Sequence, residues 1–259
     1  MHQNGAASTL QIDGVEIAYT HQSGAHAKAP CVYFLPGFRS NMAGTKALYL
    51  RETARARGWA FVSLDYRGHG LSGGDFEQSH IERWRLDASA VFDATVTGPC
   101  HLVGSSMGAW IAVRMALADP ARVQGVVTVA AAPDFTEDVL LPRLSDDHRA
   151  ALVRGETVYL PSDYDDEPYP VSATLISQSR DALVLREAIA LDCPLRAIHG
   201  AEDVDVPVAQ SEKLIDRWRG RDTELQLIRD GDHRLSRDSD LAVLVETLVT
   251  LVRSQSDAA

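Results

Sequence analysis

No apolar run in the 259 residues approaches the ~20 needed to cross a bilayer, so no membrane span is expected. The first residues, Met1 to Ser8, have neither an apolar core nor a basic flank, and no signal or transit peptide is expected there. Cysteine is scarce. Cys31, Cys100 and Cys193 are odd in number and lack C-x-x-C spacing, so they offer neither a disulfide framework nor a thiolate metal site. They read as small buried hydrophobes in a reducing compartment, which makes the cytoplasm the expected location. Positive charge is also short: 25 Lys+Arg stand against 36 Asp+Glu, a net charge of −11. That balance argues against nucleic acid or an anionic membrane surface as partner. Internal repeats and low-complexity tracts are absent.

What is present is an alternation of strand and helix. Leu10 to Ile12 and Val15 to Tyr19, joined by Asp13-Gly14, read as a hairpin. Apolar runs at 31–35, 60–64, 100–105, 123–131, 195–199 and 224–228 read as buried strands. Helical stretches separate them near 45–57, from Ile81 (with Ser79 and Glu82 spaced for a capping box), from Ala109, and over 208–218. The closing helix carries Leu241, Leu244, Val245, Leu248 and Leu251 at i, i+3, i+4, i+7 spacing. Near-continuous apolar strands alternating with helices imply an α/β fold, a mostly parallel doubly wound sheet covered on both faces. The alternation fails over 134–188, which is acidic and contains Pro161, Pro168 and Pro170. This segment is expected to be a small cap inserted between two core pieces, 1–133 and 189–259. It has no lysine, and its negative charge is expected to disfavour anionic leaving groups such as coenzyme A. Its run Asp163, Asp165, Asp166 and Glu167 reads as a solvated loop rather than a cation site.

The chemistry concentrates at Pro99-Cys-His-Leu-Val-Gly104-Ser105-Ser106-Met107-Gly108. A buried strand, a G-x-S-x-G turn and an immediate helix form a nucleophile elbow, which leaves Ser106 exposed at the strand end. Gly70-Leu71-Ser72-Gly73-Gly74 matches the same pattern, but no helix starts at Ser72 and the stretch reads as loop. A serine needs a base, and the expected order is Ser, then Asp or Glu, then His. Of nine histidines only His199 and His233 follow both the elbow and the cap. His199 ends a strand. His233 sits in the loop after the last strand, where an imidazole can reach the rim. Glu202, Asp203 and Asp205 compete as the acid, with Asp203 nearest the rim. The backbone N–H groups of Phe38 and Met107 are the expected oxyanion donors. Arg39, Arg67, His69 and Ser72 read as loop-positioning residues.

Several runs together resemble a known family. Leu35-Pro-Gly-Phe-Arg-Ser40, Gly44-Thr-Lys-Ala47, Trp84-Arg85, Val103-Gly-Ser-Ser-Met-Gly108, His199-Gly-Ala-Glu-Asp203 and Asp232-His-Arg234 look like the α/β-hydrolase fold serine hydrolases. More narrowly, they resemble the mitochondrial branch of palmitoyl-protein thioesterases that also act as acyl-glucuronide esterases. The resemblance runs from about residue 31 onward. It implies Ser106, Asp203 and His233 as a triad, with no metal or organic cofactor, acting on small-molecule or acyl-protein esters and thioesters. A C–C bond or amide hydrolase with the same triad is the alternative, followed by a non-catalytic binding module on the fold. Oligomeric state is not legible.

Overall fold

The computed structural model describes residues 7–161 and 168–256. The acidic run at 163, 165, 166 and 167 therefore lies outside the described residues.

The chain starts with the expected hairpin, β1 (Ser8–Ile12) and β2 (Val15–Gln22), turning through left-handed Asp13 and Gly14. β3 (Cys31–Leu35) is buried at all five positions because both its faces are covered. Tyr33 and Leu35 enter one core, whereas Val32 and Phe34 enter the other, as a period of two requires. After α1 (Thr45–Arg57), β4 (Ala60–Leu64) and α2 (Ile81–Thr95) come β5 (Cys100–Ser105), α3 (Met107–Ala118) and β6 (Val123–Val129).

The sheet resumes with β9 (Leu195–Gly200), α7 (Ala209–Arg217), β10 (Thr223–Ile228) and α8 (Asp238–Ser256). Its eight strands run in the order β1-β2-β4-β3-β5-β6-β9-β10. Only the pairs β1·β2 and β2·β4 are antiparallel. Trp84 of α2 and Trp110 of α3 are fully buried on one face, and Leu50 of α1 and Leu248 of α8 on the other. Parallel order brings the carboxyl ends of β3, β4, β5, β6, β9 and β10 to one rim, where open α/β sheets bind ligands.

The capping box does not form at α2. His80 is the N-cap, the Ser79 hydroxyl donates instead to the Asp75 carbonyl (2.7 Å), and Glu82 pairs with Arg85 (2.6 Å) and Arg114 (3.2 Å). Two arginines in reach offer the carboxylate more than one backbone N–H does.

Between β6 and β9 the chain leaves the sheet. A π-helical turn at Thr136–Leu140 runs into α4 (Leu141–Arg143) and α5 (Asp146–Val153), which is capped by Ser145. A two-stranded ribbon follows, β7 (Thr157–Leu160) with β8 (Tyr169–Ser172), then α6 (Ala173–Gln178) capped by Ser172. Asp134 anchors the segment's two ends: buried, it accepts the N–H groups of Val184 (2.8 Å) and Leu185 (2.9 Å). Acids here are mostly paired with neighbours, Glu137 with Arg180 (2.8 Å), Asp138 with Arg186 (2.6 Å) and Glu156 with Arg154 (2.7 Å).

Candidate active site

Ser106 stands between β5 and α3 with φ 53° and ψ −119°, a conformation that costs a non-glycine residue of order 1–3 kcal/mol. Neighbouring backbone imposes it. A Cβ on Gly104 would lie 2.4 Å from the Gly108 carbonyl oxygen, and one on Gly108 would lie 2.0 Å from that of Leu35. The bend is held by the Ser106 N–H, which donates to Val129 O (2.9 Å).

Ser106 Oγ lies 3.0 Å from His233 Nε2, and His233 Nδ1 lies 2.7 Å from Asp203 Oδ2. Because Nδ1 faces a carboxylate it carries the proton, which leaves Nε2 as acceptor for the serine hydroxyl. Asp203's side chain is fully buried, and burial alone would raise its pKa. Hydrogen bonds from His199 and His233 outweigh that and hold the carboxyl well below the usual carboxylate range. Its Oδ1 also accepts the N–H groups of Asp205 (3.0 Å) and Val206 (2.8 Å).

Of the three competing acids, Asp203 is therefore the one against the imidazole. Asp205 contributes a backbone N–H to Asp203, and Glu202 is exposed. Asp203, Asp205 and His233 present ligand-type atoms within 4.8 Å of one another. Asp203 and His233 are nevertheless committed to hydrogen bonds, so this cluster reads as a proton path rather than a cation cage.

His199 plays a structural part that also bears on the acid. Fully buried, it places Nδ1 2.7 Å from the Ser211 hydroxyl and Nε2 3.0 Å from Val206 O and 3.1 Å from Asp203 Oδ2. Two oxygens facing Nε2 require the proton there, so His199 is a second donor holding the acid.

The loop after β3 reaches the same spot. A Cβ on Gly37 would sit 3.2 Å from Ser105 O and 3.3 Å from Ser106 Cβ, so a side chain there would press on the elbow. Met107 begins α3, where a first-turn N–H has no intrahelical acceptor. Neither it nor the Phe38 N–H donates to another described residue. The Phe38 ring sits among Phe76 (5.0 Å), Trp84 (6.0 Å), Phe135 (5.7 Å) and Tyr169 (6.1 Å).

Around these groups the fold supplies anchors that sequence patterns did not reveal. Lys46, in the first turn of α1, donates to the Arg234 carbonyl and faces Ser236 Oγ (3.4 Å), tying α1 to the loop of His233. Burial pushes its pKa down to about 8. Lys46→Met should loosen that loop and lower kcat about five- to tenfold with KM little changed, as loss of one charge-assisted hydrogen bond would give. Steady-state kinetics on a chromogenic ester checks it.

Ser72 is tied into its loop. Its hydroxyl donates to the Asp65 carbonyl (2.5 Å) and accepts the Ala18 N–H (2.8 Å). Gly70 is required because a Cβ there would fall 2.1 Å from an Asp65 carboxylate oxygen. Ser72→Ala is expected to cost about 1–2 kcal/mol of stability in urea unfolding while leaving kcat within about threefold.

Arg67 is spent on a buried pair with Asp87 (2.5 Å), and Arg39 reaches across to the Pro168 carbonyl (3.3 Å). His69 is buried, and burial lowers its pKa to about 4. The folded chain thus resists protonating it, so its contribution is fully present above ~6.5 and is lost as pH falls through 4. A drop of about 3 kcal/mol in unfolding free energy between pH 7 and pH 4 is expected from this group, measurable against His69→Gln.

A surface cavity of about 660 Å³ opens beside the strand starts Cys31 and His101, at the other end of the sheet, and touches none of Ser106, Asp203 or His233.

Known proteins share this fold. Residues 26–156 match the family model described as serine aminopeptidase, S33. The mitochondrial palmitoyl-protein thioesterase ABHD10 of Bos taurus is 33% identical over 254 residues, covering 97% of this chain and 81% of the relative. Its Homo sapiens counterpart is 34% identical over 226 residues, 87% and 74% of the two chains. The chain belongs to the α/β-hydrolase family. Among solved structures, the α/β-hydrolase domain-containing protein 10 from mouse superposes with TM-score 0.88 at 30% identity, covering 97% of this chain and all of that one. A hydrolase from Agrobacterium vitis superposes with TM-score 0.91 at 37% identity, covering 95% and 97%.

As an α/β-hydrolase with such relatives the protein is a hydrolytic enzyme. The cytoplasmic expectation is corrected: the ABHD10 relatives, matched over most of this chain, are named as mitochondrial proteins, not cytoplasmic ones. Cysteine usage failed as a guide because scarce, unpaired thiols indicate a reducing environment without naming the compartment. Among the described residues, no helix is long and apolar enough to cross a membrane.

Proposed function

We propose that this α/β-hydrolase cleaves carboxylic esters and thioesters through an acyl-enzyme on Ser106, with His233 as base and Asp203 as its orienting acid. The observation that carries the reading is the unbroken line Ser106 Oγ to His233 Nε2 (3.0 Å) and His233 Nδ1 to Asp203 Oδ2 (2.7 Å). His233 takes the hydroxyl proton as Ser106 attacks the carbonyl carbon. The oxyanion that forms meets the N–H groups of Phe38 and Met107, and the proton passes to the leaving oxygen or sulfur. Water then repeats the sequence and releases the acid.

Residues 134–188 act as a small cap over this rim. Tyr169 and Phe135 of the cap touch the Phe38 ring, which gives an acyl chain an apolar wall beside the oxyanion loop. Acyl groups on protein cysteine are the substrate class that the ABHD10 relatives suggest. The charge expected to repel coenzyme A esters falls largely on Asp163, Asp165, Asp166 and Glu167, since the described cap acids are mostly paired.

The test is a panel of one acyl chain on three leaving groups: an S-acyl cysteine peptide, a neutral oxygen ester and the matching amide. Turnover of both peptide thioester and ester, with the amide at least about a thousandfold slower, is expected. Cleavage of the amide at a comparable rate would favour the peptidase chemistry named in the family description.

A further inference from the structure

The loop after β4, Asp65 to Ser72, carries the second G-x-S-x-G match and has no part in the proposed proton path. It nonetheless grips the oxyanion loop at three points. Tyr66 OH donates to the Pro36 carbonyl (3.2 Å), Asp65 Oδ1 accepts the Met42 N–H (2.7 Å), and His69 Nε2 accepts the Arg39 N–H (3.2 Å). The last of these is the one nearest the chemistry, because Arg39 directly follows Phe38. Arg39 adopts φ 56°, a left-handed conformation that a non-glycine residue holds only when its surroundings enforce it.

His69 is built for that task. Its ring is buried among Phe76 (4.9 Å), Trp84 (5.2 Å) and Tyr66 (5.5 Å), so it cannot turn away. Nδ1 faces the Arg67 carbonyl at 3.2 Å and must donate to it, which makes Nε2 the acceptor. Burial keeps the ring neutral near pH 7, and the charged groups that bear on it reinforce this, since the Arg39 guanidinium also disfavours the imidazolium. Phe76 and Trp84 touch the Phe38 ring too, so one cluster holds both the side chain and the backbone of the oxyanion loop.

We propose that His69 is a positioning residue for the reaction. By accepting the Arg39 N–H it fixes the left-handed turn after Phe38 and so aims the Phe38 N–H at the carbonyl oxygen of the substrate. This rests on the reading of Ser106 as nucleophile. Losing one oxyanion donor outright costs about 10²–10³ in kcat, so misaiming it should cost less.

The experiment compares His69→Phe, which keeps a ring but has no acceptor, with His69→Gln, whose Oε1 can accept. Each is assayed for kcat, for KM and for the Ki of a trifluoromethyl ketone, which forms a tetrahedral oxyanion on the nucleophile. In His69→Phe, kcat should fall about 10- to 100-fold with KM within about threefold. The ketone should weaken by the same factor, and His69→Gln should recover most of both.

Equal losses in the two variants, or a folded His69→Phe with kcat and Ki within threefold of wild type, would overturn the proposal. Should His69→Phe not fold, ¹⁵N NMR of the wild-type side chain decides. A protonated Nδ1 and bare Nε2 from pH 5.5 to 8 support the assignment; the opposite tautomer, or titration near pH 6, overturns it. Ser106→Ala assayed alongside separates the two levels, because hydrolysis that survives it removes the reading underneath and not merely the role of His69.

Discussion

Replacing Ser106 with alanine is expected to abolish covalent labelling by a fluorophosphonate and to lower kcat by a factor of 10⁴ or more, on the order seen when a serine nucleophile is removed. No other hydroxyl takes over. Ser72, the second serine in a G-x-S-x-G setting, is bonded to Asp65 O and to the Ala18 N–H on the loop after β4. The variant should fold normally, because Ser106 Oγ makes its bond to His233 and not to the core. Relief of its left-handed backbone is not part of the change, since alanine at φ 53° is as strained as serine. A substantial loss of secondary structure would mean that Oγ is structural. Retained labelling would place the nucleophile elsewhere.

The second large effect concerns the base and its acid. His233→Ala should be nearly as inactive as Ser106→Ala, since nucleophile and base work as one unit and their losses do not add. Asp203→Asn should cost about 10⁴-fold, because an amide at Oδ2 no longer selects the Nδ1–H tautomer that leaves Nε2 free to accept. This variant carries a further penalty. Asp203 also faces His199 Nε2 and two backbone N–H groups, so an amide nitrogen turned toward any of these donors opposes it. Some loss of thermal stability should therefore accompany the loss of activity. Asp205→Asn keeps the backbone N–H that Asp205 supplies and should lose less than tenfold. Equal losses in Asp203→Asn and Asp205→Asn would dissolve the distinction between them.

Much of this was legible before any coordinates, and the reason is local. A run such as Cys31–Leu35 is buried on both faces, so its apolar character survives whatever surrounds it. The elbow was readable because strand, G-x-S-x-G turn and helix are contiguous in the chain and Gly104 is demanded by the Gly108 carbonyl just ahead of it. The close approach of Gly108 to Leu35, by contrast, joins α3 to β3 and is not visible in the local spacing. Order along the chain pointed to His233 without contact information. The capping box at Ser79 failed because Glu82 pairs with two arginines, Arg85 one turn on and Arg114 far along the chain. Neither the hold of Lys46 on the Arg234 carbonyl nor the hold of His69 on Arg39 follows from spacing. His69 and Arg39 lie on the loops after β4 and β3, which the sheet order sets side by side, and Lys46 on α1 meets the loop between β10 and α8. Asp203 against Asp205 could not be decided from spacing, because two residues in one loop differ only in which side chain turns inward.

Hydrolysis by this route requires an acyl group held by Ser106. Wild-type protein mixed with an activated ester and quenched in acid within milliseconds should gain the mass of one acyl group in intact-protein mass spectrometry. Fragmentation should place it on Ser106. An acyl group found on another residue, or steady turnover with no adduct under conditions where deacylation is slowed, would contradict it.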